Sequence, residues 1–197
     1  LIRQALAKGL KVNVMVNDVS DLTRLPNSIE VVVGDYTNAD KIKTAISGSD
    51  AVLSTIGPPM NVELSNRESF NFQIGLTTLL TQMEIQNIKR FINLSGAGIK
   101  LPNEKLPLVR KIVRLLTSLM AQSVVKEKDA ELELLSKSNC DWTSVRPPFI
   151  RVKNGVFRAD KNSLSGMTVD PEQVANFMLN SIDSSRWSRM APVVATL

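Results

Sequence analysis

Short apolar runs rich in β-branched residues alternate with segments of helical period along most of the chain. Residues 1–8 (LIRQALAK) carry an amphipathic helical pattern, with Gly9 placed to stop it. Residues 11–16 (KVNVMV) alternate and predict a strand, followed by a turn or short helix over 18–25. The run 29–33 predicts a second strand ending at Gly34-Asp35, and 39–46 a short helix closed by Gly48. Residues 50–56 (DAVLSTI) predict a third strand ending at Gly57-Pro58-Pro59. A long helix over roughly 67–87 leads into a fourth strand at 91–94, which ends at Ser95-Gly96-Ala97-Gly98. Beyond Pro102 and Pro107, residues 108–136 form a long helical region, interrupted or continuous. A fifth strand at 142–145 stops at Pro147-Pro148. Residues 150–168 have no helical period and contain Asn154-Gly155, a hairpin signal. A helix over 171–182 begins with Asp170 as N-cap and Pro171 at its first position, and 192–195 predict a last short strand.

Strands alternating with helices predict an α/β fold: a doubly wound, mostly parallel sheet in three layers. The strands ending at Val16, Val33, Ile56, Leu94 and Val145 are expected side by side. The continuous VVV of 31–33 suits a strand covered on both faces. A chain of 197 residues fits one domain, at ~100–200 residues per domain, with residues 150–197 as a small substrate-side region. In such sheets ligands sit beyond the carboxyl ends of the strands. Those ends carry Asn17, Gly34-Asp35-Tyr36, the stretch 54–59, Ser95 to Gly98, and Arg146 to Phe149. Apolar residues at 108, 109, 112, 113, 115, 116, 119 and 120 form one helical stripe. It reads as core or a homodimer face rather than as a lipid-binding helix.

Composition narrows the chemistry. The absence of histidine excludes His-containing catalytic triads and His-ligated metals, so no metal site is expected. One cysteine, Cys140, excludes an intramolecular disulfide and suits a reducing cytoplasm. No run approaches the ~20 apolar residues of a membrane span, so no membrane partner is expected. The net charge of +5 favours a small anion mildly, and its dispersal along the chain gives no reason to expect nucleic acid.

Several residues at the strand ends are chemical candidates, each with a plain structural alternative. Asp35 offers an acceptor to an adenine amino group beside the flat ring of Tyr36; the alternative is an ordinary Gly-Asp turn and a surface tyrosine. Gly57 lets a ligand approach bare backbone, with Ser54 and Thr55 as hydroxyl donors; the alternative is a turn that needs Gly and Pro. Ser95 points a hydroxyl into the cleft, able to polarise a carbonyl, or else it shapes a loop. It lacks the G-x-S-x-G context of an activated nucleophile, and no histidine exists to activate it. Lys126 and Lys128 lie on the helix before the fifth strand; they reach a ribose or phosphate, or are simply solvated. Tyr36 is the only tyrosine, so no Tyr-x-x-x-Lys pair exists on that helix.

Four stretches in this order resemble the atypical short-chain dehydrogenase/reductase family, in the group around NmrA-like proteins and biliverdin-IXβ (flavin) reductase. They are EVVVGDYTNADKIKTAISGSDAVLSTIG at 30–57, KRFINLSGAG at 89–98, KDAELELLSKSNCDWTSVRPPFI at 128–150 and VDPEQVANFMLNSI at 169–182. The resemblance spans nearly the whole chain and implies a Rossmann-like fold binding NADP or NAD. It gives Asn17, Asp35 and Tyr36 adenine-side positions, and Thr55, Ile56 and Gly57 the turn beneath the pyrophosphate and nicotinamide ribose. Ser95 falls near the nicotinamide, and Pro147, Pro148, Phe149 and Ile150 along its pocket. Ser95 and Lys128 are the candidate catalytic residues. The family opens with a strand and a G-x-x-G-x-x-G turn ahead of the first helix, so an upstream strand and turn are expected in the native protein, and without that strand the sheet would have a gap. Relatives carry an arginine for the NADP 2′-phosphate where Asn17 stands here, which leaves Arg24 or Lys41 as substitutes and the choice between NAD and NADP open.

The implied activity is NAD(P)H-dependent reduction of a small flavin- or quinone-like acceptor. A non-catalytic dinucleotide-binding regulator of the NmrA-like type is the alternative, favoured by the missing Tyr-Lys pair. A sugar-nucleotide isomerase or epimerase ranks last, because residues 150–197 leave little room for a sugar-nucleotide domain.

Overall fold

Strands β3 (Ala51–Ser54), β4 (Arg90–Leu94) and β5 (Asp141–Val145) pair in parallel in the order β3-β4-β5. Two further strands, β1 (Asn13–Val16) and β2 (Glu30–Val33), pair in parallel with each other. The structure is a computed structural model and describes residues 1–26, 29–58 and 64–197; Pro59 and the side chain of Arg24 lie outside the described residues.

β4 and β5 are buried along almost their full length, as strands covered by helices on both faces must be. Alternation along β4 sends Phe91 to one face and Ile92 to the other. Phe91 and Trp142 pack with Ile42 of α2 (Ala39–Ala45), Met83 of α3 (Asn66–Ile85), and Val125, Leu132 and Leu135 of α5 (Gln122–Lys137). Ile92 and Val145 pack with Val174 and Met178 of α6 (Pro171–Asn180) and with Val194. Phe91, Leu132 and Leu135 are 0% exposed; burying each contributes ~1.5–3 kcal/mol. The first helix, α1 (Ile2–Ala7), lies beside α6, where Gln4 Nε2 donates to the carbonyl of Glu172 at 3.3 Å.

Local chemistry explains the helix starts. Ser65 and Glu68 form a reciprocal capping box at α3. Asn38 caps α2, and Asp170 caps α6 ahead of Pro171. No described helix is long and apolar enough to cross a membrane.

Three of the sequence expectations are resolved or corrected by the structure. First, β1 and β3 do not pair. A cavity of about 600 Å³ lies between them, lined by residues 12–15 on one side and 51–56 on the other. The five strands are thus two parallel groups rather than one continuous row, and the slot between them is a gap of the kind expected where the upstream strand is wanting. Second, the helical region 108–136 is two helices, α4 (Leu108–Met120) and α5, broken at Ala121, whose φ of −154° and ψ of 66° leave the helical region. Third, Asn154-Gly155 makes no hairpin. The flanking strands β6 (Phe149–Ile150) and β7 (Phe157–Asp160) take other partners: β6 pairs in parallel with β8 (Thr168–Val169), and β7 pairs antiparallel with β9 (Val193–Thr196). β9 in turn lies along the end of β5, where Val194 N donates to the Arg146 carbonyl at 3.2 Å.

Candidate functional site

The carboxyl ends of β3, β4 and β5 converge on Lys128. This side chain projects from α5 on the face that carries Val125 and Leu132, so the helix period aims it at the sheet. Its residue is 8% exposed. Nζ donates to the carbonyls of Ile56 at 2.7 Å and Leu94 at 3.1 Å, and pairs with Glu131 Oε2 at 2.7 Å. One ammonium therefore ties the end of β3 to the end of β4. β3 ends at Ser54, earlier than its apolar run, and beyond it the Ile56 carbonyl is held by Lys128. Ser54 Oγ accepts from Ile56 N at 3.3 Å and shapes that exit. Thr55, Ile56 and Gly57 are exposed. A Cβ at Gly57 would lie 3.1 Å from Lys128 Cε, so a side chain there would crowd the brace.

Ser95 follows β4. Its backbone N donates to the Val145 carbonyl at 2.7 Å, which joins β4 to β5 one residue past the ladder. Its Oγ is buried and has no hydrogen-bond partner in the protein among the described residues. Below it in the sheet, the polar row Ser54, Asn93 and Ser144 runs across three strands in register. Both amide atoms of Asn93 and the hydroxyl of Ser144 are also buried without a partner among the described residues. The signal for this row was an asparagine inside the apolar run FINL, which the pattern of strand and helix alone did not single out.

On the β5 side, Pro147 is buried and its carbonyl accepts from Ala97 N at 2.8 Å. Pro148 is half-buried, and Phe149 is 44% exposed at the rim. Beneath this loop lies a charged cluster that sequence reasoning missed. Glu104 accepts from Arg110 Nη1 and from Arg146 Nη1, each at 2.7 Å. The two guanidiniums also hold the carbonyls of Ala97 and Ile99, and Arg110 donates to Asn162 Oδ1. Burial alone would raise the Glu104 pKa; hydrogen bonds from Arg146 and Arg110 outweigh it and hold the carboxyl below its ordinary value.

The expected adenine-side residues stand at the β1–β2 end. Asp35 Oδ1 accepts from Thr37 N at 2.8 Å and from Thr37 Oγ1 at 2.9 Å, so this carboxylate builds the turn into α2. The Tyr36 ring stacks on Phe72 of α3 at 5.4 Å, and both residues line the cavity. Burial, followed by the negative charges of Asp35, Glu127 and Glu68, raises its phenol pKa. Asn17 is exposed just past β1, and the stem of Lys41 lies against Gly34. The structure thus brings Thr55, Ile56, Gly57, Ser95, Lys128 and the 147–149 segment around the ends of β3 to β5; Tyr36 lines the same cavity as Thr55, Ile56, Gly57 and Lys128, and Asn17 and Asp35 stand just past β1 and β2.

A parallel sheet with bare backbone at Gly57 and an unpartnered hydroxyl at Ser95, both at strand ends, fits a dinucleotide-binding domain. The chain belongs to the NAD(P)H-binding domain family, whose model matches residues 1–185. No curated protein matches the sequence. Solved structures share the fold. An anaerobilin reductase, ChuY, from Escherichia coli O157:H7 is 16% identical with a TM-score of 0.77, covering 98% of this chain and 88% of its own. A short-chain dehydrogenase/reductase from Veillonella parvula, solved in complex with NADP, is 15% identical with a TM-score of 0.71, covering 98% and 87%. A Rossmann-fold NAD(P)-binding family protein from Shigella flexneri is 15% identical with a TM-score of 0.66, covering 99% and 85%.

Proposed function

We propose that this chain is an NAD(P)H-dependent reductase of flat, electron-poor ring acceptors of flavin or quinone type, working in the cytoplasm. The observation that carries the reading is the Ser95 hydroxyl, buried and unpartnered among the described residues, at the end of the central strand. The likeness of fold to a protein described as an anaerobilin reductase supports it.

Bound NAD(P)H supplies the hydride. The chain's own residues position it and the acceptor. Gly57 leaves backbone open to the cofactor, and Thr55 and Ile56 flank it. Lys128 is a positioning residue: by holding the Ile56 and Leu94 carbonyls it keeps the two strand ends from splaying. The Ser95 hydroxyl donates to an acceptor carbonyl or to the cofactor carboxamide, and Phe149 with Pro148 forms an apolar wall. Asn17 and Asp35 lie on the adenine side of the same reading, with Tyr36 supporting that side from its stack on Phe72.

Alcohol oxidation needs a base poised near the working pH. The chain has no histidine, and its only tyrosine is stacked on Phe72 and does not stand on the helix that carries Lys128. A quinone or flavin ring can take its proton from solvent, so the lack of a base is tolerated. The test is steady-state oxidation of NADH and NADPH with riboflavin-type and quinone acceptors, alongside simple secondary alcohols in the reverse direction. Turnover with the ring acceptors and none with the alcohols is expected. Tight cofactor binding without turnover on any acceptor overturns the reading in favour of a non-catalytic dinucleotide-binding regulator.

A further inference from the structure

Helix α4 is turned inside out. Its sequence, LVRKIVRLLTSLM, would ordinarily bury the leucines and expose the arginines. Instead Arg110 is 0% exposed, while Leu108 is 73%, Ile112 50%, Leu115 61% and Leu119 76% exposed. The inversion is enforced by specific partners. Arg110 donates to Ala97 O at 2.8 Å, to Ile99 O at 2.6 Å and to Glu104. Arg114 donates to Gly98 O at 3.1 Å and pairs with Asp129 at 2.6 Å. The backbones approach so closely that a Cβ on Gly98 would lie 2.9 Å from Arg114 Cα. The apolar face is therefore held outward by buried charge.

We infer that this face is a homodimer interface, in which α4 packs antiparallel against α4 of a second copy about a two-fold axis. Three observations select that occupant. The exposed seam, Leu108, Ile112, Leu115 and Leu119, steps by four, three and four residues, the spacing by which one helix seats against another. With Leu116 and Met120 beside it, the face presents six apolar side chains that are 48–76% exposed, a contiguous patch of the kind that marks an interaction surface. The helix carries no acidic residue, so the face offers no charge pattern that would select an unlike partner, and apolar self-packing suffices. A lipid surface fits less well, because it calls for basic side chains at the rim. Here Arg110 and Arg114 point inward and are occupied, which leaves only Lys111 in the helix. The pairing also bears on the site: the inner face of α4 holds the carbonyls of Ala97, Gly98 and Ile99, the loop that follows Ser95.

Sedimentation equilibrium of the wild-type chain tests the proposal, with the L115K/L119K double variant and Ile85→Glu as a control. Ile85 is equally apolar and 66% exposed, but lies at the end of α3. The expected result is a dimer mass for wild type and Ile85→Glu, and half that mass for the double variant with an unchanged circular dichroism spectrum. A nitroxide at Leu115→Cys in a Cys140→Ser background reads the same contact without disrupting the fold, and should report label pairs within the reach of two helices packed ~8–10 Å apart. A monomeric wild type, a double variant that remains dimeric, or isolated labels would overturn the proposal. Co-sedimentation of a monomeric wild type with anionic phospholipid vesicles would replace the interface with a membrane-facing role.

Discussion

Lys128 reaches across 72 residues of sequence to donate to the carbonyl of Ile56 at 2.7 Å, and the same ammonium holds Leu94. Losing it removes charge-assisted hydrogen bonds and leaves Glu131, 14% exposed, without its cation. Lys128→Met should cost about 3 kcal/mol of unfolding free energy, measured by urea denaturation. It should raise the KM for cofactor while leaving kcat at saturating cofactor within about tenfold. A thousandfold fall in kcat would show that Lys128 handles a proton of the reaction.

Gly57 stands against the same side chain. Gly57→Val places a branched group where a Cβ is already 3.1 Å from Lys128 Cε and covers the backbone offered to the cofactor. Calorimetric titration should show NAD(P)H affinity reduced at least about tenfold, equivalent to ~1.4 kcal/mol. Unchanged affinity would remove this turn from the site.

Ser95→Ala removes one oriented hydroxyl of ~1 kcal/mol, which corresponds to a turnover loss below about tenfold. Steady-state rates across several acceptors check this. A loss of a thousandfold would assign Ser95 covalent or acid–base work.

Glu104 gives a pH signature. Its folded-state pKa lies below 4.5, its ordinary value, because two guanidiniums hydrogen-bond to the carboxylate and outweigh the effect of burial. The stabilisation is therefore fully present above about pH 5 and lost as pH falls through the folded-state value. Glu104→Gln should cost about 3 kcal/mol at neutral pH, since it leaves Arg110 and Arg146 buried without their anion. The gap between variant and wild type should narrow as pH falls below about 4, in denaturant titrations across pH. A constant gap would mean that the charge of Glu104 is not what stabilises the cluster.

The split sheet makes a prediction for hydrogen exchange. β4 is paired on both sides, whereas β1 and β3 each face the slot on one side. Amides of β4 should be the slowest to exchange, and slot-facing amides of β1 and β3 markedly faster. Equal protection would mean that the slot is closed in solution.

Strands β4 and β5 could be read from the sequence because β-branched runs and turn residues mark them independently of the rest of the chain. The same holds for α3 and α6, whose capping residues Ser65, Glu68 and Asp170 stand in the sequence at fixed offsets. The β3 and β4 exits were legible because Gly57 and Ser95 follow apolar runs directly. Lys128 was visible only as a helix lysine: its burial depends on Ile56 and Leu94, which lie far away in the chain. The Glu104–Arg110–Arg146 cluster was hidden for the same reason. The amphipathic stripe of α4 was plain, but its direction was not, because partners for Arg110 and Arg114 come from three separate segments. Asp35 and Tyr36 read as ligand groups from their place after β2, yet Thr37 and Phe72 engage them, contacts that strand-end position alone does not reveal.

Hydride transfer to a ring acceptor is the central claim, and an isotope effect tests it most directly. NADH and NADPH carrying deuterium at the transferred position are compared with the unlabelled cofactors in single-turnover oxidation by a flavin and by a quinone. The account predicts enzyme-dependent oxidation that slows on deuteration and is reduced by Gly57→Val. Oxidation at the rate of the enzyme-free control with both acceptors, despite demonstrated cofactor binding, would contradict it.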